Sequence, residues 1–291
     1  MKIIVADAME DDVLAEIRKL GEVSYRPADL YAEVAKADVL IVRSATKVTE
    51  ALVANSALKA VARAGVGLDN VDVPACQKKG IKVINTPGAS SDAVAELALG
   101  FMLSLARKIP QAHLSMKQGK WDKKSFVGGE LAGKTLGIVG YGRIGSKVAK
   151  LASAFGMDVI CTNLSPVKDP LARQVEFPEL VSSSDYISIH VALTPETRGM
   201  FNKEAFSKMK AGAYVLNLAR GPIVDEEALY DALKSGKLAG AALDVYAQEP
   251  YQGKLLELDN VVFAPHIGGS TREAQMRIGT ELIHQLKTLA L

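Results

Sequence analysis

The sequence predicts an α/β fold of two doubly wound parallel sheets with a cleft between them. Its 291 residues exceed the usual size of a single domain. Along the chain, short β-branched runs alternate with segments of helical spacing, which is the pattern of parallel βαβ units. A glycine-rich turn at residues 140–145 follows one such run and precedes a helical segment. We therefore expect two domains, each with its own core.

Four apolar runs in residues 1–86 predict the first sheet. They are separated by segments of helical spacing such as "EDDVLAEIRKLG". A run as apolar as "VLIV" predicts a strand that is covered on both faces. In chain order, the four runs are "KIIVAD", "DVLIVRS", "KAVARAG" and "IKVINT".

Residues 90–121 form a long apolar-periodic segment that predicts a connecting helix. Ser90, Ser91 and Asp92 are candidates for its N-cap, and Pro110 predicts a kink. Charged residues interrupt the apolar face, which argues against a membrane span.

Six further runs predict the second sheet, and a final helix follows. Ser270 and Glu273 have capping-box spacing at the start of that helix. We expect residues 1–94, completed by a C-terminal helix at 269–291, to bind substrate, and residues 95–268 to bind a dinucleotide. The six runs are "KTLGIVG", "MDVICT", "DYISIHV", "AYVLNLA", "LAGAALDV" and "VVFAPH".

Composition excludes several classes of protein. With 35 Lys+Arg against 33 Asp+Glu the net charge is +2, so we expect neither a nucleic-acid nor a membrane partner. The amino-terminal "MKIIVAD" is too short to be the core of a signal peptide, and we expect a cytoplasmic protein. The two cysteines, Cys76 and Cys161, are far apart and predict neither a disulfide framework nor a metal site.

The stretch "LGIVGYGRIGSKVAK" predicts a phosphate-binding turn. Gly140, Gly142 and Gly145 have the G-x-G-x-x-G spacing between a strand and a helix. The first glycine permits the tight turn, the second lets a pyrophosphate approach the backbone, and the third lets the helix pack on the strand. The amides of Arg143 and Ile144, at the helix start, would bind the anion.

The residue at the end of the next strand leaves the choice of cofactor open. An acid at this position binds the ribose 2′-hydroxyl of NAD, but here the residue is Asn163. An asparagine does not repel a 2′-phosphate, and Ser165 and Lys168 could assist one. We expect NAD, with NADP as the alternative.

Polar residues at later strand ends suggest hydride-transfer chemistry. His266 follows "VVFAP" and precedes two glycines, which makes it the best candidate for the base. Glu249, with Asp244 nearby, could orient its ring, and Arg220 in "NLARGP" could bind a carboxylate and polarise a carbonyl. His190 ends a strand near the expected nucleotide.

The stretch "VLIVRSATKV" runs from a buried strand directly into Arg43 and Ser44. Ligands of open α/β sheets bind at the carboxyl ends of the strands, so a cation and a hydroxyl here indicate an anionic ligand. Read alone, this stretch favours the simpler interpretation that Arg43 caps a loop or pairs with a surface acid.

Four motifs, "LGIVGYGRIG", "NLARGPIVDEEAL", "GAALDVYAQEP" and "PHIGGST", occur in an order that resembles the D-isomer-specific 2-hydroxyacid dehydrogenases. The resemblance covers nearly the whole chain and implies two Rossmann-like domains, NAD as cofactor and a homodimer. It also implies that Arg220, Glu249 and His266 are the catalytic residues, and that Ala219 and Asp244 lie on the cofactor side.

Other stretches resemble the family members that oxidise D-3-phosphoglycerate, the first step of serine biosynthesis. They are "VRSATKVT", "ARAGVGLDNVD", "NTPGASSDAVAELALG" and "KQGKWDKKSFVGGEL". This resemblance implies that Arg43 and Ser44 lie by the substrate, with Arg43 helping to bind its phosphate. It implies that Gly65, Val66 and Gly67 bind the carboxylate through their amides, with Asn85 alongside.

The sequence departs from the family pattern at Asn163 and at Ala192, where proline is common. Because the chain stops at Leu291, we expect a short form without a regulatory serine-binding domain. Two alternatives remain. One is a glyoxylate or hydroxypyruvate reductase of the same family, and the other is a nucleotide-sensing protein similar to the corepressors of this fold.

Overall fold

The computed structural model describes residues 1–289 and divides into two units. One unit comprises Met1–Ser90 with Gly269–Leu291, and the other comprises Ser91–Gly268. Each contains one parallel sheet with helices around it, which confirms the predicted α/β class with two doubly wound sheets. Residues 290 and 291, the end of the predicted C-terminal helix, lie outside the described residues. Within residues 1–289, no helix has both the length and the apolarity that crossing a membrane requires.

The first unit has a five-stranded sheet in the order β2-β1-β3-β4-β5, with every pair parallel. This order reverses direction between β1 and β3, so the loops after these two strands border the crevice where such sheets bind ligands. The strands are β1 (Lys2–Val5), β2 (Glu22–Tyr25), β3 (Val39–Val42), β4 (Ala60–Arg63) and β5 (Lys82–Asn85).

Helices cover both faces of this sheet, and each face has its own core. Ile3, Ile41 and Leu282 belong to one core, while Leu40 and Leu52 belong to the other. All four residues of β3 are buried, as expected for a strand covered on both faces. The helices are α1 (Asp11–Arg18), α2 (Leu30–Val34), α3 (Glu50–Ala54), α4 (Val73–Lys78) and α11 (Arg272–Thr288).

The second unit has a seven-stranded parallel sheet in the order β12-β11-β10-β9-β6-β7-β8. Counted from β6, this is the dinucleotide-binding order, and its direction reverses between β6 and β9. The strands are β6 (Thr135–Val139), β7 (Asp158–Thr162), β8 (Arg173–Gln174), β9 (Tyr186–Ile189), β10 (Ala213–Asn217), β11 (Leu238–Leu243) and β12 (Val261–Phe263).

Two large cores flank this sheet. The helix that follows the glycine motif, α7 (Arg143–Ala154), packs with α5 (Ser91–Arg107) on one face of the sheet. Met102, Val148 and Ala152 belong to the core on this face. Phe201, Phe206 and Leu229 belong to the core on the other face. The helices are α5 (Ser91–Arg107), α6 (Ile109–Lys117), α7 (Arg143–Ala154), α8 (Phe177–Ser183), α9 (Lys203–Lys208) and α10 (Glu226–Lys234).

The prediction of a single connecting helix over residues 90–121 is wrong in the number of helices. The segment forms two helices, α5 and α6, which are separated by Lys108 in the left-handed region at φ 52°. Pro110 occupies the first turn of α6. Proline has no amide proton and its ring clashes with the carbonyl four residues earlier, so the chain breaks before Pro110 instead of bending at it. The boundary expected at residue 94 lies inside α5, and the second unit begins at Ser91.

The predicted capping box at Ser270 is also wrong, by one residue. The N-cap of α11 is Thr271, whose side chain accepts a hydrogen bond from the Ala274 amide at 3.1 Å. Both residues can cap a helix, and the sequence pattern favoured Ser270 because Glu273 stands three residues later.

Two strands lack a clear signal in the sequence. Both β2 and β8 lie at sheet edges, and β8 has only two residues. Their side chains are partly or fully exposed. Exposed positions do not require apolar residues, so neither strand shows the apolar run by which strands are predicted.

Candidate functional site

The turn after β6 and the end of β9 meet at the point where the second sheet reverses direction. Gly140 has φ 95°, and a Cβ atom there would lie 2.8 Å from the carbonyl carbon and oxygen of His190. The Gly140 amide donates to the Thr162 carbonyl at 3.0 Å, which ties the turn to the end of β7. Only glycine combines this backbone conformation with this close approach.

The other two glycines of the motif have opposite surroundings. A Cβ atom on Gly145 would lie 2.2 Å from the Gly140 carbonyl oxygen, so a side chain would separate α7 from the turn. A Cβ atom on Gly142 would meet nothing within 4 Å. Gly142 is the N-cap of α7, and no side chain caps this helix start. An open, uncapped helix start can accept an anion at its free amides.

Asn163 is held in the loop that follows β7. Its Oδ1 accepts the Tyr141 amide at 3.1 Å, and its Nδ2 donates to the Ser165 carbonyl at 3.0 Å. Gln174 donates to the Asn163 carbonyl at 2.9 Å. The sequence predicts that Asn163 lies near the ribose of the cofactor. In the structure, its side-chain amide holds the glycine turn through the Tyr141 amide.

His190 is half-buried at the end of β9, and its ring contacts a buried serine. Nε2 lies 2.8 Å from the Ser188 hydroxyl, whereas Nδ1 is buried and has no hydrogen-bond partner among the described residues. Burial lowers the pKa of His190 to about 4, so the ring is neutral at pH 7. A buried nitrogen without a partner is unfavourable unless a ligand satisfies it.

These features fit a dinucleotide. The open position at Gly142 leaves room for a pyrophosphate, the start of α7 offers amides to it, and the unsatisfied Nδ1 of His190 lies at the end of the neighbouring strand. Arg143 and Ile144, predicted as binding residues, are the first two residues of α7.

The predicted base and its partner are in contact. His266 Nδ1 lies 2.8 Å from Glu249 Oε2, and both side chains are more than a third exposed. A carboxylate only accepts hydrogen bonds, so Nδ1 carries the proton and Nε2 is free to act as a base. Glu249 is fixed in turn, because its Oε1 accepts the Tyr246 amide at 3.2 Å.

Asp244 holds the backbone that carries His266. It is buried, and its two oxygens accept the amides of Ile267 at 2.7 Å and Gly268 at 2.8 Å. Burial raises the pKa of Asp244, and these two amides oppose that rise. His266 has φ 55°, a conformation that costs a non-glycine residue roughly 1–2 kcal/mol. We infer that the two hydrogen bonds to Asp244 stabilise it.

Arg220 follows β10 in a turn organised by Asn217. The buried Asn217 accepts the Ala219 amide at 3.1 Å and donates to the Arg220 carbonyl at 3.0 Å. The half-buried Arg220 donates from Nη1 to the Ala219 carbonyl at 2.6 Å. The Asn217 carbonyl also accepts the Asp244 amide at 3.0 Å, so the turns that carry Arg220 and His266 are connected through one residue pair.

Tyr246 connects the end of β11 to the end of β12. Its hydroxyl lies 3.0 Å from the Leu243 carbonyl and 2.9 Å from the Ala264 carbonyl, two residues before His266. Burial raises the pKa of Tyr246 to about 12, so the hydroxyl remains a donor.

In the first unit, Asp7 organises the loop that carries Arg43 and Ser44. Asp7 is buried after β1, and its carboxylate accepts the Arg43 amide at 2.6 Å, the Thr46 amide at 3.2 Å and the Thr46 hydroxyl at 2.6 Å. Asn70 donates to the Arg43 carbonyl at 2.7 Å and to the Thr46 carbonyl at 2.6 Å. The loop is therefore fixed at the crevice between β1 and β3.

The guanidinium of Arg43 is also positioned. Nη1 donates to the Ala8 carbonyl at 3.0 Å, and the residue is half-buried. Ser44 is exposed beside it. Four N–H donors of the guanidinium remain for an anion in addition to this bond.

The next loop, after β4, contains Gly65, Val66 and Gly67. Gly65 has φ 145°, and a Cβ atom there would lie 1.5 Å from Arg63 Nη1. Asn85 donates to the Val66 carbonyl at 2.6 Å, so it supports this loop from the end of β5. The predicted substrate residues thus come from the ends of three neighbouring strands, β3, β4 and β5.

Sequence reasoning missed the residues that position the site. Asp7, Asn70, Asn217 and Tyr246 make the bonds described above, and none was a candidate. Asp7 and Asn217 could have been found, because each is a polar residue at the end of an apolar run. The partners of Asp7 are 36 and 39 residues away, a pairing that no local pattern indicates.

No metal site was expected. Across residues 1–289, no group of three or more His, Cys, Asp or Glu side chains is arranged to hold a metal ion.

Comparison with known proteins gives one consistent family. Residues 99–268 match the family model described as D-isomer specific 2-hydroxyacid dehydrogenase, NAD binding domain. A hydroxypyruvate reductase of Thermotoga maritima is 52% identical over 264 residues, covering 89% of this chain and 86% of that protein. A D-3-phosphoglycerate dehydrogenase of Methanocaldococcus jannaschii is 46% identical over 298 residues. That match covers 99% of this chain but only 57% of the relative, so the chain spans little more than half its length.

A solved structure agrees with this assignment. D-lactate dehydrogenase from Aquifex aeolicus, complexed with NAD and lactic acid, has a TM-score of 0.90 and 33% identity. The match covers 99% of this chain and 94% of that one. It includes both units, so each of the two sheets has a counterpart there.

Proposed function

Because this chain belongs to the D-isomer-specific 2-hydroxyacid dehydrogenase family, we propose that it oxidises D-3-phosphoglycerate to 3-phosphohydroxypyruvate with NAD. This reaction is the first step of serine biosynthesis. The observation that carries the reaction type is the 2.8 Å contact between His266 Nδ1 and Glu249 Oε2. It orients the ring through Nδ1 and leaves Nε2 available to a substrate, at the carboxyl edge of a dinucleotide-binding sheet.

In the proposed reaction, His266 Nε2 takes the proton of the substrate hydroxyl at C2. The C2–O bond becomes a carbonyl as the hydride leaves C2, and nicotinamide, when bound, accepts that hydride. Glu249 stabilises the imidazolium that forms, because its negatively charged carboxylate accepts a hydrogen bond from Nδ1–H. The proton then passes from His266 to solvent.

Arg220 is the proposed electrophilic group. Its guanidinium binds the substrate carboxylate and stabilises the partial negative charge on the carbonyl oxygen. The bonds from Asn217 to Ala219 and Arg220 hold the turn in place. Because the Asp244 amide bonds to Asn217, a displacement of one catalytic turn also disturbs the other.

The first unit supports a phosphorylated substrate. Arg43 lies beside the crevice between β1 and β3, in a loop that Asp7 and Asn70 hold by five hydrogen bonds. We propose that Arg43 and Ser44 bind the substrate phosphate and that the amides of Gly65, Val66 and Gly67 bind the carboxylate, with Asn85 supporting them. The homodimer and the cytoplasmic location also stay predictions.

A second candidate function is the reduction of hydroxypyruvate or glyoxylate. The relative in Thermotoga maritima, at 52% identity over 264 residues, favours it. The catalytic residues would be the same, and the direction of hydride and proton transfer would be reversed. The two functions differ in whether the loop at Arg43 must bind a phosphate.

Replacement of Arg43 tests this difference. A charge-assisted hydrogen bond contributes roughly 1.5–3 kcal/mol, so Arg43→Ala should raise KM for D-3-phosphoglycerate by about tenfold or more and change kcat little. Arg18→Ala, at an exposed position on α1, is the control. Steady-state kinetics with D-3-phosphoglycerate and D-glycerate measure the effect. An equal loss on both substrates would contradict the phosphate role.

A further inference from the structure

The proposed carboxylate-binding loop after β4 is held through its carbonyl groups. Asn85 donates from its side chain to the Val66 carbonyl at 2.6 Å. The backbone amide of the next residue, Thr86, donates to the Gly65 carbonyl at 2.9 Å, and Thr86 is fully buried. The position of the loop therefore depends on the position of the chain that leaves β5, residues 85–89.

Helix α11 holds residues 85–89 at two points. Gln285 donates from Nε2 to the Asn85 carbonyl at 2.8 Å. Arg277 donates from Nε to the Ala89 carbonyl, also at 2.8 Å. The two donors are about 12 Å apart along the helix axis, since an α-helix rises about 1.5 Å per residue. Bonds at both ends of the segment fix its position and its direction.

A neighbour on α11 orients the side-chain amide of Gln285. Nε2 lies 3.4 Å from a carboxylate oxygen of Glu281, one helical turn earlier. A carboxylate and a backbone carbonyl only accept hydrogen bonds, so the NH2 group of Gln285 supplies one hydrogen to Glu281 and one to Asn85. Gln285 is half-buried in this arrangement. Its contact with Asn85 is therefore that of a fixed donor.

The helix is a firm support for these donors. Ile278, Leu282 and Leu286 belong to a buried core of the first unit. A Cβ atom on Gly279 would lie 2.3 Å from Val13 Cγ2, so α11 packs closely against α1. Close packing resists movement of the whole helix, and the donors on it keep their positions.

Building on the proposed function, we infer that Gln285 is a positioning residue for the substrate carboxylate. It acts through Asn85, which holds the loop at residues 65–67 whose amides bind the carboxylate. Arg277 holds the far end of the same segment. Every 2-hydroxy acid has this carboxylate. The role of Gln285 is therefore the same for phosphorylated and unphosphorylated substrates, unlike the role of Arg43.

Replacement of the donor tests this role. Gln285→Met keeps the length of the side chain and removes the donor, whereas Gln285→Lys keeps a donor and an acidic neighbour in Glu281. We expect Gln285→Met to lower kcat/KM by about threefold to tenfold, because one hydrogen bond changes an equilibrium constant by about this factor. The factor should be equal for D-3-phosphoglycerate and D-glycerate, with kcat for D-3-phosphoglycerate little changed. Gln285→Lys should restore most of the loss, and Lys287→Met, at an exposed position on α11, is the control.

Amide hydrogen exchange, measured by mass spectrometry without substrate, tests the coupling independently of turnover. Exchange in residues 64–67 and 85–90 should be faster in Gln285→Met than in the wild type, because a loop that loses a support opens more often. Gln285→Lys and Lys287→Met should exchange like the wild type in both segments.

The outcomes separate this inference from the proposed function. Wild-type exchange of residues 64–67 in Gln285→Met would overturn the positioning role, and so would faster exchange spread evenly over the whole first unit. A loss of kcat/KM confined to the phosphorylated acid, or an equal loss in Gln285→Lys, would also overturn it. If the wild type oxidises neither acid, the proposed function fails, and the exchange rates still decide whether Gln285 supports the loop.

Discussion

The neutral His190, at the end of β9, makes the stability of the second unit depend on pH. His190 has a buried Nδ1 without a partner among the described residues, and burial lowers its pKa to about 4. In the unfolded chain the pKa of histidine is about 6.5. Between these two values the unfolded state binds more protons than the native state, so stability falls as the pH drops from about 6.5 towards 4.

Removal of this ring should remove that pH dependence. Below pH 6.5, we expect the free energy of unfolding to fall less steeply with decreasing pH in His190→Gln than in the wild type. The two slopes should differ by at most about 1.4 kcal/mol per pH unit. Urea unfolding at pH 7.5, 6.0 and 5.0 measures it, and His284→Gln controls for the loss of an exposed histidine on α11. Parallel curves for the wild type and His190→Gln would show that His190 titrates normally.

The candidate catalytic residues have a clearer signal in the sequence than the residues that position them. Arg220, Glu249 and His266 stand next to glycine, proline or strand ends, and their motifs resemble one family. Asp7 and Asn217 accept hydrogen bonds from backbone amides of the loops that carry Arg43 and Arg220. The contact of Asp7 exists only after the sheet has formed. A sequence shows such residues as polar ends of strands and does not show what they bind.

At the scale of helices and strands, the connection from β6 to α7 contains one glycine that packing requires, Gly145, and one that we propose faces the cofactor, Gly142. A methyl group on Gly145 would lie 2.2 Å from the Gly140 carbonyl oxygen, whereas one on Gly142 would lie in open space. Backbone cannot yield as a flexible side chain can, so the first change strains the fold and the second affects only a ligand.

This contrast gives a matched pair of variants. Gly145→Ala should destabilise the protein by roughly 1–3 kcal/mol. Gly142→Ala should leave the melting temperature within a degree or two of wild type, about the size of a surface change, and weaken NADH binding. Thermal unfolding and NADH titration measure both. If Gly142→Ala bound NADH normally, the assignment of the pyrophosphate to this turn would be wrong.

The cap of α11 shows why element boundaries are harder to predict than elements. The final helix is evident from its apolar spacing, but Ser270 and Thr271 are adjacent and both can cap a helix. Tertiary packing decides between them. The boundary between α5 and α6 differs in the same way: the sequence predicts a kink at Pro110, and the helix breaks before it, at Lys108.

Replacement of each candidate distinguishes the two caps. Thr271→Ala should lower the free energy of unfolding by about 1 kcal/mol, because the Ala274 amide loses its partner. The exposed Ser270→Ala should have an effect within about 0.5 kcal/mol. Urea denaturation compares them. A larger loss for Ser270→Ala would restore the capping box that the sequence predicted.

At the scale of the whole molecule, the candidate functional residues belong to two units. Arg43, Ser44 and the loop after β4 belong to the first, and the dinucleotide turn, Arg220 and His266 belong to the second. In each unit these residues lie at the carboxyl ends of parallel strands, and in each they include the point where strand order reverses. The positions of these strand ends could be predicted from the sequence, because each strand end is visible as the last apolar residue of a run.

We propose that this chain oxidises a phosphorylated 2-hydroxy acid with His266 as base. The most direct measurement is the initial rate of NAD⁺ reduction with D-3-phosphoglycerate and with D-glycerate, at alkaline pH with product trapping, for the wild type and for His266→Ala. We expect a strong preference for D-3-phosphoglycerate and near-complete loss of that rate in His266→Ala. Equal or faster oxidation of D-glycerate would contradict the substrate assignment, and substantial activity in His266→Ala would contradict the base.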